Sequence, residues 1–132
     1  MMNKETGMYD FKDGNGPVAA HQHSNGGGWV ADTAKVADTA YVGPDAEVFG
    51  NAQVFCNAWV SDNARVCGDA MVSGNAQVSD NARVCGGAMV SGNAQVSGNA
   101  WVFDTAWVYG NAQVYGNAQV SGNAWVSDNA MV

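Results

Sequence analysis

Leucine and isoleucine, which fill most protein cores, are both absent from this chain of 132 residues. Charge is also scarce: 5 Lys and Arg stand against 12 Asp and Glu, for a net charge of −7. We expect no nucleic-acid partner, because an acidic chain has no basic patch with which to displace phosphate counterions. We also expect no membrane partner, because no run approaches the ~18 apolar residues of a membrane span. Residues 1–16 lack the apolar segment of a secretory signal, which predicts synthesis in the cytoplasm without export by that route.

The residues that are abundant recur with a period of six. Valine occupies every sixth position from 30 to 132, and alanine every sixth position from 34 to 130. A period of six does not suit an α-helix, where positions six apart lie on opposite sides. In a strand, however, an alanine and a valine two residues apart share one face. Gly, Asp and Asn, which tolerate tight turns, fill the positions between them, so each hexad predicts a four-residue strand followed by a two-residue corner.

An almost exact duplication indicates how the hexads combine. Residues 60–77 and 78–95 differ at one position in eighteen, Asp69 against Gly87. Three strands and three corners would close a triangle of eighteen residues, so the duplicated block is one coil stacked on its own copy. The prediction is an all-β domain over residues 29–132 with about six triangular coils. The interior would consist of valine and alanine, listed for two coils as Val72, Ala76, Val90 and Ala94.

The V-x-x-x-A-x pattern closely resembles the hexapeptide-repeat family. That resemblance covers residues 29–132 and implies a left-handed parallel β-helix, with the handedness resting on the resemblance alone. Residues 1–28 do not follow the repeat and are predicted to form an irregular cap over the first coil. The stretch NGPVAAHQHSNGGGWVADTA resembles, more loosely, the leader of hexapeptide-repeat proteins of phages and bacteria.

The outward positions flank each valine and sort into three faces of the predicted prism. The first face is the most apolar, and its expected role is the contact between the subunits of a homotrimer. Its predicted interface residues are Phe55, Met71, Met89, Trp107, Tyr109 and Trp125. The second face has glutamine and serine along its middle. The third carries Arg65 and Arg83, which resist burial.

Two groups of side chains raise questions of chemistry. Cys67 and Cys85 fall in neighbouring coils at a spacing that suits a disulfide. Side chains in a parallel ladder point the same way, however, so we expect free thiols. His21 and His23 lie two apart on an extended segment and are candidate metal ligands, above all if three chains met on an axis. The alternative is that both histidines are polar loop residues or form hydrogen bonds within the cap.

The hexapeptide-repeat family includes acyltransferases and a class of carbonic anhydrase, and the resemblance therefore raises both activities. Such acyltransferases use a histidine base near a subunit junction, and the carbonic anhydrases hold zinc with three histidines on the coils. No coil of this chain carries a histidine. We therefore expect no cofactor apart from a metal ion at His21 and His23, and no enzymatic activity.

The expected function is that of a structural or interaction protein, a phage or phage-like virion component such as a decoration, fibre or spike. A larger virion assembly would be contacted through the C-terminal end, where the repeat runs to Val132. The expected location is the virion or the cytoplasm. Two alternatives stay open: an acyltransferase-like enzyme that uses the leader histidines, and an intracellular host-interaction or carbohydrate-binding protein.

Overall fold

The computed structural model describes residues 2–3 and 7–132, so residues 1 and 4–6 of the predicted cap lie outside the described residues. The described chain consists of short strands joined by turns, which together form a parallel β-solenoid. None of its segments is a helix with the length and hydrophobicity that crossing a bilayer requires. The all-β parallel repeat fold predicted from the sequence is therefore confirmed.

Among the described residues, three strands form the leader and seventeen form the coils. The leader strands are β1 (Met2–Asn3), β2 (Met8–Asp10) and β3 (Pro17–Gln22). The coil strands are β4 (Trp29–Ala31), β5 (Lys35–Val36), β6 (Tyr41–Val42), β7 (Glu47–Val48), β8 (Gln53–Val54), β9 (Trp59–Val60), β10 (Arg65–Val66), β11 (Met71–Val72), β12 (Gln77–Val78), β13 (Arg83–Val84), β14 (Met89–Val90), β15 (Gln95–Val96), β16 (Trp101–Val102), β17 (Trp107–Val108), β18 (Gln113–Val114), β19 (Gln119–Val120) and β20 (Trp125–Val126).

Every third coil strand joins the same sheet. The first face is the six-stranded sheet β5-β8-β11-β14-β17-β20, the second is the five-stranded sheet β6-β9-β12-β15-β18, and the third is the sheet that continues from the leader through β4-β7-β10-β13-β16-β19. Partners across each sheet are eighteen residues apart, as in the pairing of Met71 with Met89. This register is the one that the duplicated eighteen residues predicted.

The number of coils is smaller than predicted. Five coils contain three strands each, whereas the sixth contains only β19 and β20. Its third side is reduced to an isolated bridge between Gln113 and Met131. The prediction of about six coils counted hexads, whereas the last hexad forms backbone hydrogen bonds with Gln113 and Tyr115 around this single bridge and not a full strand. The structure is therefore a solenoid of about five turns.

The interior is a column of small side chains. Val72, Ala76, Val90 and Ala94 are all 0% exposed, like the matching residues of the neighbouring coils. A triangle closed by three two-residue turns has little internal width, and valine and alanine fill it without the longer side chains of leucine or isoleucine. The missing residue types thus reflect the size of the interior.

The corners explain the residues between the valines. From Gly50 onward, the first residue of each turn has positive φ, a conformation that favours glycine and is tolerated by aspartate. Gly74 adopts it with φ 67° and Asp80 with φ 58°. A Cβ on Gly74 would lie 3.0 Å from the backbone nitrogen of Gly92, so stacked corners leave little space there. The asparagine that follows has a different role: the Nδ2 of Asn93 donates to the Oδ1 of Asn111 at 3.3 Å, one rung of an amide ladder.

The leader extends the third face at its N-terminal end. Strand β3 pairs antiparallel with β4, and β2 pairs antiparallel with β3. The backbone of β4 is therefore hydrogen-bonded on both sides, which protects an edge that would otherwise invite pairing with other chains.

Candidate interaction surfaces

The structure places the six predicted interface residues on the first face. Met71, Met89, Trp107 and Trp125 follow one another in register along the sheet. The rings of Trp107 and Trp125 are stacked, with centroids 5.3 Å apart and planes 8° from parallel. Trp107 is 39% exposed and Trp125 is 66% exposed. The first face therefore presents a line of large apolar side chains to its surroundings.

The third face is divided into a covered part and an open part. The covered part lies under the leader, where the ring of Tyr9 stacks on Trp29 with centroids 4.8 Å apart. The ring of Phe11 stacks on Phe49 at the same distance. Phe11 is only 1% exposed. These rings form a second, smaller core on the outside of the solenoid.

Polar contacts fix the position of the leader. The Tyr9 hydroxyl donates a hydrogen bond to the carboxylate of Glu47. The guanidinium of Arg65 donates from Nη2 to the backbone carbonyl of Phe11. Its Nε lies 3.2 Å from Oε1 of Glu47, which makes an ion pair without hydrogen-bond geometry. Glu47 and Arg65 are both largely covered, so the leader contacts an ion pair that is mostly shielded from water.

The environment of Tyr9 affects its ionisation. Burial raises the pKa of the Tyr9 phenol well above its ordinary value, and the hydrogen bond to Glu47 raises it further. The phenol is consequently a hydrogen-bond donor throughout the neutral range. This protonated form is the one that the carboxylate of Glu47 requires as a partner.

The open part of the third face contains an apolar cleft of about 170 Å³. It is lined by Arg83, Cys85, Trp101, Val102 and Phe103. The guanidinium of Arg83 lies over the ring of Trp101, 5.1 Å from its centroid. Phe103 meets the same ring edge to face, with centroids 6.0 Å apart. A cation and two aromatic rings thus border one small apolar space.

A disulfide connects the two parts of the third face, which corrects the expectation of free thiols. Cys67 and Cys85 are bonded, with Cα atoms 4.6 Å apart. The expectation was wrong because rotation about the Cα–Cβ bonds brings the sulfur atoms together even though the two residues face the same way. Cys67 packs against the small core of the covered part, whereas Cys85 lines the cleft. Cys56 is free and exposed.

The two histidines have different surroundings. Nδ1 of His21 lies 2.7 Å from the carboxylate of Asp32, in an exposed pair. His23 is buried, and its Nε2 lies 2.8 Å from the carbonyl oxygen of Ala40. Each ring therefore has one nitrogen committed to a partner within the fold. No group of three or more His, Cys, Asp or Glu in the described part of the chain is arranged as a metal site, and metal binding at His21 and His23 stays a prediction.

Sequence reasoning missed the packing of Tyr9 and Phe11 on the third face. It also did not bring Arg83, Trp101 and Phe103 together as one cleft. The leader has no period that would indicate its partners. The cleft, in contrast, follows from the eighteen-residue register, which places Arg83 beside Trp101, and that signal was present in the sequence.

Comparison with known families points to the same repeat. The YdcK beta-solenoid repeat model matches residues 64–80, 76–92, 94–110 and 112–128. No curated protein and no solved structure gives a significant match to the chain. The matched segments fall on the regular coils and omit the leader, so the similarity concerns the solenoid repeat.

Proposed function

We propose that this β-solenoid repeat protein is a non-enzymatic scaffold that assembles with copies of itself, as a homotrimer, through its first face. One observation carries the proposal: the apolar residues of that face lie in register along the rod. A line of half-buried methionine and exposed tryptophan is unusual on a solvated surface and is typical of interface centres. Burial of aromatic rings at about 150–250 Å² each supplies much of a standard interface.

The geometry of a rod suits a threefold arrangement. A threefold axis parallel to the solenoid brings the first faces of three copies together along their length. The second face, with Gln77, Gln95 and Gln113 in register, then remains in water. A stiff rod of this kind supports the finer proposal of a virion decoration, fibre or spike. Its location would be the virion or the cytoplasm.

The test is the molar mass in solution, measured by light scattering coupled to size exclusion. We expect a trimer, and we expect Met89→Asp with Trp107→Asp to convert it into monomers that keep β-type circular dichroism. The matched control is Gln95→Asp with Gln113→Asp, which adds the same charges to the second face. A monomeric parent protein would refute the proposal, as would a control pair that dissociates the oligomer equally.

An acyltransferase-like enzyme is the second candidate, and the pair of His21 with Asp32 favours it. A carboxylate 2.7 Å from Nδ1 fixes the orientation of the ring and leaves Nε2 available as a general base. The test is turnover of acetyl-CoA with small alcohol and amine acceptors. Turnover that is lost in His21→Asn, while the thermal midpoint stays unchanged, would favour the enzyme over the scaffold.

A further inference from the structure

The cleft on the open part of the third face repeats the composition of the site that holds the leader. Arg83 occupies in its coil the position that Arg65 occupies one coil earlier. Trp101 and Phe103 occupy the positions of Trp29 and Phe49 in their own coils, at multiples of eighteen residues. Each set thus contains a tryptophan, a phenylalanine and an arginine at equivalent positions of the repeat on one face, with Trp29 and Phe49 in successive coils and Trp101 and Phe103 in one coil.

The leader site shows what such a set binds. It holds an extended segment whose rings stack on Trp29 and Phe49, and whose backbone carbonyl at Phe11 accepts a hydrogen bond from Arg65. Arg65 also lies over the ring of Phe49, 5.0 Å from its centroid. The arginine therefore has two functions there: it flanks an aromatic ring, and it donates to the backbone of the bound segment.

In the second set the corresponding groups have no such segment. Trp101 is 41% exposed. The guanidinium of Arg83 has no hydrogen-bond or ion-pair partner among the residues that the structure describes, and it lies over the ring of Trp101. The cleft volume of about 170 Å³ is close to that of an apolar cavity that accepts one benzene ring. The cleft therefore has space for one aromatic ring, and the guanidinium of Arg83 is a free hydrogen-bond donor beside it.

We infer that this cleft binds an extended segment of a separate polypeptide, with an aromatic side chain in the cleft against Trp101 and Phe103 and a backbone carbonyl on Arg83. The surface continues the leader contact, because the Cys67–Cys85 disulfide links the covered aromatics to the cleft. Along the rod the arginine precedes the aromatic residues here, whereas in the leader site it follows them. The two sites therefore share their composition and not the order of these residues along the rod.

The occupant is a different protein and not the leader of a second copy. In each copy the leader is already held in its own site, where Phe11 is buried. Its release would expose Trp29 and Phe49, so exchange between copies gains no net contact. The cleft lies on the third face, and the proposed subunit contact lies on the first, so the two proposals fail or succeed separately.

The probe for this site is a synthetic peptide with the sequence of residues 7–14, GMYDFKDG, which carries the aromatic spacing of the known bound segment. The measurement is a titration of the full chain, followed by the indole N–H signals in ¹⁵N-resolved NMR. Absence of a signal in Trp101→Ala assigns Trp101. Trp59, exposed on the second face, is the internal control. A peptide in which alanine replaces both aromatic residues is the ligand control.

We expect the Trp101 signal to shift and saturate while the Trp59 signal stays in place. Trp101→Ala removes the ring on which the aromatic side chain of the peptide stacks, and this should weaken binding about tenfold. Because this variant has no Trp101 signal, its binding is followed by the signals of the other residues that line the cleft. Loss of the charged donor in Arg83→Gln should have an effect of similar size. The pair Gln95→Asp with Gln113→Asp, on the second face, should leave the affinity unchanged, which separates this site from a general effect of added charge. Thermal midpoints within about 2 °C of the parent would show that the variants are folded.

Several outcomes would overturn the inference. A shift of the Trp29 signal would mean that the peptide displaces the leader, and equal shifts of all indoles would mean non-specific contact. No saturable shift at millimolar peptide would show that the cleft binds no segment of this chemistry. Self-association that Trp101→Ala abolishes would assign the cleft to a second copy and not to a separate polypeptide.

Discussion

Replacement of Ala94 by leucine tests the packing of the solenoid interior most directly. Ala94 is 0% exposed, and so are Ala76 and Ala112, its equivalents in the coils on either side. The three added carbon atoms have no outlet, because the valines of the same coil occupy the rest of the interior. Overpacking of a close-packed core costs about 1–3 kcal/mol. For a domain of this length each kcal/mol lowers the thermal midpoint by roughly 3–6 °C.

The matched control is Gln95→Leu, at the next residue along the chain. Gln95 is exposed on the second face, so the same side chain meets no neighbouring core there and should change stability by less than about 0.5 kcal/mol. Both variants are compared with the parent by thermal and urea unfolding, followed by circular dichroism. Equal losses in the two variants, or a larger loss in Gln95→Leu, would refute the assignment of inward and outward positions.

Three further perturbations have defined outcomes. Burial raises the pKa of Tyr9, so the contribution of Tyr9 to stability is complete below the ordinary pKa of 10.0 and declines as the pH rises above that value. The urea midpoint should therefore decrease from below pH 10 to above it, and this decrease should be smaller in Tyr9→Phe than in the parent. Reduction of the Cys67–Cys85 bridge, or Cys67→Ser with Cys85→Ser, should cost about 3 kcal/mol by freeing an eighteen-residue loop, and an unchanged urea midpoint on addition of reductant would contradict the bond. If the leader holds a metal, elemental analysis should find a first-row metal at a fixed ratio per chain, and His21→Ala with His23→Ala should remove it.

The coils of this fold were predictable because the six-residue period, the inward residues, the corner residues and the duplication all indicate the same structure. The six-residue period sets the strands, small inward residues set the width of the interior, and glycine or aspartate sets the corners. The near-identity of residues 60–77 and 78–95 then gives the register without any three-dimensional information. Such agreement between local and global preferences is what specifies a single structure.

The leader could not be predicted in the same way. Its contacts join Tyr9 to Trp29 and Phe11 to Phe49, and neither pair shares a period or a motif. The disulfide depends on side-chain rotation, which a ladder of Cα positions does not reveal. The leader site and the disulfide therefore depend on tertiary placement, whereas the first-face line of Met89 and Trp107, like the pairing of Arg83 with Trp101, could be read from spacing alone.

Because each coil contains eighteen residues, the length of the solenoid can change in steps of one coil. Insertion of another copy of residues 78–95 would add one coil, or about 4.8 Å, and leave the leader and the last coil as they are. Insertion of a single hexad would have a different effect, because it advances the chain by one side of the triangle. Trp107 and Trp125 would then move from the first face to the second while every valine and alanine stayed inside. Insertion of whole coils thus changes the length of the solenoid, whereas insertion of single hexads changes the face on which the later outward residues lie. The interior is the same in both cases.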